Sequence, residues 1–353
     1  MTLPQSDRAD SAAAEQSAVS APPPIRRRPL RRLLTTSPVL MSAVLLFLVI
    51  VFSAIRPDAF PSLANAQNVV MDAAALLVMA VGMTYIMIAA GIDLSVGSVL
   101  VFAGVCSAKV MGAISSDNWG TVLVGLAVAL AAGLAWGLFN TKLRVPALIT
   151  TLGTLGAALG AANLVTHGND VRTVPLTLIE FGVGGPFGLS WIVWVAIAVA
   201  IVGGLVLART RFGRHTYIIG SNAEAGRRAG INVDNHLLKL YGLSGLLAGL
   251  AGWLSLARFA TTTIAGHSTD VLAVITGVVL GGTSLFGGFG TVGGTVVGIL
   301  IPTALSNGFI IVNVERSGRR WPPASFSSRR CTSTRLSAGP GTGPETQGET
   351  RIS

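Results

Sequence analysis

The chain has 353 residues, of which 51% are hydrophobic and only 11% are charged. Soluble domains average about 25% charged residues, so a chain of this length with so few charges is not a water-soluble protein. Its formal net charge is +10, but the basic residues stand in short clusters between apolar runs. They form no continuous basic face of the kind that binds nucleic acid. The composition therefore predicts a protein embedded in lipid, without nucleic acid as a partner.

The amino-terminal part, residues 1–38, is polar and then basic, and it is predicted to be a disordered cytosolic tail. A cluster of five arginines, from Arg26 to Arg32, precedes the apolar run 39–55. A cleaved signal peptide has the same order of basic and apolar residues. This run is longer, begins later and lacks a clear small-residue cleavage site, so it is interpreted as a retained first membrane span.

Nine apolar segments are candidate membrane spans, because a bilayer core requires about 20 helical residues. The nine segments are residues 39–55, 69–90, 96–114, 119–139, 147–165, 189–208, 237–256, 271–285 and 292–312. The predicted fold class is therefore all-α, a polytopic transmembrane helical bundle. Its transmembrane domain covers residues 39–314.

The positions of the basic residues predict the orientation, because cytoplasmic loops carry an excess of Lys and Arg. With the amino terminus inside, the inside loops receive the basic residues of 142–144 and of 209–236. The outside loops receive isolated arginines with acidic residues among them. The sequence thus predicts a multi-pass protein of the plasma (inner) membrane with a cytoplasmic amino terminus.

This orientation fails at the carboxyl end, since a tail after nine spans lies outside, yet residues 315–353 contain seven arginines. Two explanations stay open. The tail is a natural disordered extension, or the reading frame shifts near Val314. When residues 321–333 are shifted back by one base, GC-rich codons give an apolar segment that ends in an acid, where the topology requires a tenth span. Resequencing the locus decides between the two.

The first motif, Gly91-Ile92-Asp93-Leu94-Ser95-Val96-Gly97-Ser98, joins the second and third spans by a sharp turn. Gly91 permits the turn, and Asp93 and Ser95 are suitable N-caps for the next helix. One interpretation is a capped turn and nothing more. The other is a gate or pathway element with Asp93, Ser95 and Gly97 near a helix N-terminus, which favours hydroxyl-bearing ligands or ions.

The second motif is the predicted cytoplasmic loop 209–236, inside which the residues predict a short helix. Asn222 is its N-cap, Glu224 lies in the first turn, Arg227–Arg228 lie in the last turn, and Gly230 follows the end. Such a short helix is marginal alone in water, which indicates that it docks against something. The alternatives are a solvated basic loop and a coupling helix for a cytosolic partner. The candidate coupling residues are Arg211, Gly213, Arg214, Asn222, Glu224 and Gly230.

The third motif is the glycine-rich stretch 281–294, which breaks a helix after a short span. Broken helices at membrane depth line a cavity or lie buried in protein. The candidate gating residues are Thr283, Ser284, Gly287 and Gly288. The alternative is close helix packing, which is also the interpretation of the glycine pairs four residues apart. Those pairs are Gly133/Gly137, Gly156/Gly160, Gly245/Gly249 and Gly294/Gly298.

Several kinds of chemistry have no motif in this sequence. No Gly-Lys dipeptide occurs, so the chain has no P-loop and is predicted not to hydrolyse ATP itself. Cys106 and Cys331 lack metal-site or redox spacing. The sequence therefore predicts no catalytic residue, no metal and no cofactor. Few charges lie within the spans, which disfavours a proton-coupled carrier.

Taken together and in this order, the three motifs resemble the permeases of ribose- and xylose-type ABC sugar importers. The resemblance covers about residues 39–314. The segments that carry it are 90–98, 146–153, 209–213, 220–222, 230–233 and 277–294. The family usually has about ten spans with broken or re-entrant elements and a short basic tail. This chain departs from that pattern at its carboxyl end.

The resemblance implies a transport subunit that translocates a monosaccharide while a partner chain hydrolyses ATP. It also implies four kinds of partner: a cytosolic ABC ATPase that binds residues 223–229, a periplasmic or lipid-anchored sugar-binding protein, a second permease copy that forms a homodimer with this one, and membrane lipid. Three alternatives stay open. They are an ABC permease for another solute, such as a branched-chain amino acid or a furanose signal, an ATPase-independent secondary carrier, and a membrane-embedded enzyme.

Overall fold

The structure, a computed structural model, describes residues 37–142, 147–262, 267 and 269–312. The predictions for the amino-terminal tail, for the carboxyl-terminal tail and for a shifted reading frame fall almost entirely outside these residues. The nine predicted segments and all three motifs lie within the described residues, and the gaps at 143–146, 263–266 and 268 fall between the segments.

The described residues form twelve α-helices and one 3-10 turn, Pro186–Gly188, and they contain no β-strand. The helices are α1 Ser37–Ile55, α2 Leu63–Ile88, α3 Val96–Ile114, α4 Trp119–Lys142, α5 Ala147–Thr166, α6 Leu176–Val183, α7 Trp191–Arg209, α8 Arg211–Ser221, α9 Ala223–Arg228, α10 Val233–Phe259, α11 Asp270–Leu280 and α12 Val292–Ile311. The predicted all-α fold class is confirmed.

The predicted count of nine spans is not confirmed. Within the described residues, seven helices are long and apolar enough to cross a membrane, namely α2, α3, α4, α5, α7, α10 and α12. The apolar stretch of α1, Val39–Ile55, and helix α11 are shorter. Helix α11 has 11 residues, which at 1.5 Å per residue is about half of a 30 Å bilayer core. Each of the nine predicted segments nevertheless contains a helix.

Helices α10 and α2 form the centre of the bundle. In their apolar stretches, 83% of the residues of α10 and 67% of those of α2 are buried. Peripheral helices such as α5 and α7 instead expose large aliphatic side chains, for example Leu164 and Val202. This arrangement is expected of a bundle whose outer surface faces lipid tails, which are as apolar as the protein core.

Glycines set the close approach of several helices. A Cβ atom added at Gly133 of α4 would collide with the carbonyl oxygen of Gly245 in α10, and one at Gly298 of α12 would collide with that of Gly277 in α11. The predicted close packing is confirmed for these helices. It is not observed for Gly156 and Gly160 of α5, because an added Cβ meets no described atom within 4 Å at either position.

Helix α11 begins beside the first turn of α3. A Cβ added at Gly97 would lie 3.2 Å from the side chain of Val271 and 3.4 Å from the carbonyl oxygen of His267. The chain therefore returns into the bundle after α10 ends at Phe259. This short, discontinuous element agrees with the broken helix predicted before the glycine-rich motif.

Candidate functional site

The three sequence motifs meet at the end of helix α2. The backbone N–H of Gly288 donates to the carbonyl oxygen of Ile88, the last residue of α2, at 2.8 Å. Gly220, near the end of α8, lies so close that an added Cβ would collide with the same carbonyl group. The hydroxyl of Tyr217 in α8 donates to the carbonyl oxygen of Gly290 at 2.6 Å. We call this region, where turn 89–95, helices α8–α9 and loop 281–291 come together, the junction.

The conformation of loop 281–291 is permitted by its glycines and closed by its own hydrogen bonds. Gly287 and Gly288 have φ angles of +83° and +74°, which are costly for residues with a side chain. The N–H of Ser284 donates to the carbonyl oxygen of Phe289 at 2.9 Å and closes the turn. The predicted gating residues Ser284, Gly287 and Gly288 therefore build this turn, while the nearby side chain of Thr283 is 3% exposed.

The carboxylate of Asp93 is 1% exposed and accepts hydrogen bonds from two sides. Its Oδ1 accepts from the N–H and the hydroxyl of Ser95, at 2.9 and 2.6 Å, and its Oδ2 accepts from the hydroxyl of Ser244 in α10, at 3.1 Å. Burial raises the pKa of Asp93, while these hydrogen bonds act in the opposite direction. The carboxyl thus ties the turn before α3 to the central helix.

The same network continues to two further helices. The side-chain N–H of Asn140 in α4 donates to the Ser95 hydroxyl oxygen at 3.0 Å, and the hydroxyl of Thr154 in α5 donates to Asn140 Oδ1. All of these side chains are buried. The sequence analysis missed Asn140, Thr154 and Ser244. The available signal was a polar residue in an otherwise apolar helix, which usually finds a partner on a neighbouring helix.

The predicted capping of α3 is not observed. Ser95 occupies the N-cap position, but its side chain makes no capping hydrogen bond, because its hydroxyl donates to Asp93. Gly97 permits close contact with His267 and Val271. The structure therefore places Asp93, Ser95 and Gly97 in buried contacts between helices.

The predicted short helix in loop 209–236 is present as α9. Asn222 Oδ1 accepts from the N–H of Ala225 at 2.9 Å, Glu224 lies in the first turn, and Arg227 and Arg228 lie in the last turn. Gly230 follows with a φ of +80°. Cap, charges and stop signal agree with the prediction.

The sequence analysis missed helix α8. Only Asn222 separates this helix from α9. Its N-cap is Thr210, whose hydroxyl oxygen accepts from the N–H of Gly213 at 3.3 Å. A Cβ added at Gly213 would collide with the carbonyl group of Leu207, so this glycine allows α8 to turn back sharply from α7. The candidate residues Arg211 and Arg214 are exposed on α8.

Helix α9 presents charged groups to solvent. Glu224 and Arg228 are 3.4 Å apart, and their side chains are 62% and 81% exposed. Arg227 and Asp234 are 3.3 Å apart and also exposed. Ion pairs of this kind contribute about 0–1 kcal/mol to stability. These side chains can therefore exchange their partners for those of another protein at little cost.

A second polar cluster lies where α11 begins. The hydroxyl of Ser255 in α10 lies 3.2 Å from Nε2 of His267, and Nδ1 of the same ring lies 2.6 Å from the carboxylate of Asp270. All three side chains are largely buried. The sequence analysis treated the four histidines as scattered, and only the fold brings these groups together.

Comparison with known proteins gives one family. The family described as "Branched-chain amino acid transport system / permease component" matches residues 65–321. The ribose import permease protein RbsC of Escherichia coli (strain K12) is 36% identical over 275 residues, which cover 76% of this chain and 84% of that protein. No solved structure matches the chain.

Two further relatives come from the same organism. The L-arabinose transport system permease protein AraH is 33% identical over 268 residues, covering 76% of this chain and 81% of that protein. The D-allose transport system permease protein AlsC is 30% identical over 269 residues, which cover 76% of this chain and 82% of that protein. The predicted resemblance to sugar permeases is thereby confirmed. The chain belongs to the family of branched-chain amino acid transport system permease components, and its relatives in that family include sugar permeases.

Proposed function

We propose that this chain is the membrane permease subunit of an ABC importer for a monosaccharide, driven by a separate cytosolic ATPase. The observation that carries the proposal is the junction: the exposed, charged helix α9 continues from α8, which contacts both the end of α2 and loop 281–291. Relatives named for ribose, arabinose and allose support a sugar as the substrate class.

In this mechanism the ATPase binds α9 on the cytoplasmic side and moves it during the ATP cycle. The hydrogen bonds Tyr217–Gly290 and Gly288–Ile88 transmit the movement to α11, α12 and the central helix α2. Tilting of these helices opens the path alternately to each side. A sugar-binding protein delivers the substrate outside, and a second permease copy completes the path. The amino terminus lies in the cytoplasm.

Uptake measurements test the proposal against an ATPase-independent carrier. Cells that express the permease with its ATPase and binding protein are given labelled ribose, arabinose or allose, with and without a protonophore. Uptake of one of these sugars is expected to need an intact P-loop in the ATPase and to survive loss of the proton gradient. Uptake that continues with an inactive ATPase and stops with the protonophore contradicts the proposal.

A different small solute is the second candidate substrate. It is favoured by the description of the family, which names branched-chain amino acids, and by an autoinducer 2 import permease among the relatives, from Photorhabdus luminescens and 31% identical. Labelled leucine and autoinducer 2 therefore belong in the same uptake panel. Transport of either one, with no sugar transported, replaces the monosaccharide while keeping the permease assignment.

A further inference from the structure

The tip of loop 281–291 presents large apolar side chains away from the bundle. Phe286 is 91% exposed, Phe289 59% and Leu285 44%. We call these three residues the apolar tip. Single exposed apolar residues are ordinary on protein surfaces, but three in five consecutive positions beside a functional element indicate an interaction site.

The apolar tip is held in place before any partner arrives. The N–H of Phe286 donates to the hydroxyl oxygen of Ser284 at 3.1 Å, and the turn is closed between Ser284 and Phe289. Gly287 and Gly288 pack against Ala90 and Ser221, which restrains the loop although glycine itself is conformationally permissive. A partner that binds the tip therefore loses little affinity to the ordering of this loop.

The apolar tip lies directly beside the segment that carries α9. Gly288 is in contact with Ser221, since an added Cβ would lie 2.7 Å from the serine hydroxyl oxygen. Residues 209–236 carry five arginines and two acids, so their net charge is 5 − 2 = +3 with histidines neutral. An aromatic centre next to a charged rim is the usual composition of a protein–protein interface.

The neighbouring charges favour a protein over lipid as the occupant of the tip. Glu224 and Arg228 are more than half exposed, and charged groups of this kind remain in water. A surface that covers the tip together with α9 must combine an apolar pocket with an acidic rim, which a cytosolic protein can provide.

We propose that the apolar tip is a second docking contact for the cytosolic ATPase, in which Phe286 occupies an apolar pocket while α9 contacts an acidic rim. The proposal rests on the proposed function, because that function supplies the ATPase. The two contacts are adjacent at the end of α2, where Gly220 and Gly288 both approach the carbonyl group of Ile88, so one ATPase surface can cover both.

Photo-crosslinking tests this contact in the full-length permease co-expressed with its ATPase in membranes. The photoreactive residue p-benzoylphenylalanine replaces Phe286, and in the control it replaces Phe187, which is also 91% exposed but lies in the loop between α6 and α7. Position 286 is expected to crosslink to the ATPase, which is identified by peptides that include its P-loop. Position 187 is expected to give no adduct with the ATPase. Adducts with lipid or with a second permease alone at position 286, or the same ATPase adduct at position 187, overturn the proposal.

Co-purification gives an independent measurement. Phe286→Asp is expected to reduce the amount of ATPase that co-purifies with the permease about tenfold, as loss of an aromatic anchor does, whereas Phe286→Leu retains it. Both variants are expected to fold, because the side chain is 91% exposed. Wild-type co-purification of Phe286→Asp contradicts the proposal.

The photoreactive residue at position 224 separates this inference from the proposed function. An ATPase adduct at 224 without one at 286 refutes the apolar tip and leaves the coupling role of α9 intact. Absence of both adducts, combined with uptake that needs no ATPase, refutes the proposed function itself.

Discussion

The three hydrogen bonds accepted by Asp93 come from Ser95 and Ser244, and the carboxyl is almost fully buried. Asp93→Ala leaves these donors without a partner, at a cost of about 1–3 kcal/mol for each one that stays buried. We expect a lower melting temperature of the purified protein in detergent, whereas Asp117→Asn, at an exposed position, leaves it unchanged. A normal melting temperature with abolished uptake would instead assign Asp93 to the transport path.

Gly220 is the residue at which α8 contacts the end of α2. Gly220→Ala drives a methyl group into the backbone carbonyl of Ile88, which no side-chain rotation relieves. We expect this overpacking to destabilise the protein by about 1–3 kcal/mol and to reduce uptake in whole cells. Gly156→Ala is the matched control, because an added Cβ meets no described atom there. Equal behaviour of the two variants would show that the contact at Gly220 is dispensable.

Which residues matter at this scale could be predicted only in part. Asp93 and Ser95 stand out in the sequence because a polar pair lies at the start of an apolar segment. Their partners do not, since Asn140 is 45 residues from Ser95 and Ser244 is 151 residues from Asp93. Local periodicity contains no information about which helices become neighbours, so the network became visible only in the fold.

Among the elements, α9 was predictable because its cap, its charges and its stop residue are all local in sequence. Helix α8 was missed because Gly213, which disfavours a helix interior, is present for its close contact with Leu207. The count of nine spans was not confirmed for a related reason. Helix α11 ends at Leu280, where Gly281 packs against Gly294 of α12, although apolar residues continue to Leu285.

Charge reversal tests whether α9 is the coupling element. Glu224→Arg removes the pair with Arg228 and places a positive charge in the first helical turn, which is unfavourable by about 0.3–1 kcal/mol. That cost is too small to remove the protein from the membrane. We expect ATP hydrolysis by the complex to continue in proteoliposomes while sugar uptake is lost.

Glu180→Arg serves as the control for this reversal, because Glu180 is also exposed but lies on α6. Normal uptake by Glu224→Arg would argue against the coupling role. Loss of uptake in both variants would point to a general effect of added positive charge.

For the whole molecule, orientation is the property on which the mechanism depends, and it is open to direct measurement. In a background without Cys106 and Cys331, a single cysteine replaces Glu224 or Phe187, and a membrane-impermeant maleimide is added. We expect labelling at position 187 in intact cells and at position 224 only in inside-out vesicles. The reverse pattern would move the junction to the exterior and exclude contact with a cytosolic ATPase.

The half-length helix α11 has a mechanical consequence. A rod that crosses the entire bilayer carries a push from one surface to the other, but α11 is about half as long as the bilayer core is thick. A push applied at its Gly281 end would therefore be delivered inside the bundle, where His267 and Asp270 link the start of α11 to Ser255 of α10. The proposed ATPase would then act first on this polar cluster and not on the opposite surface of the membrane.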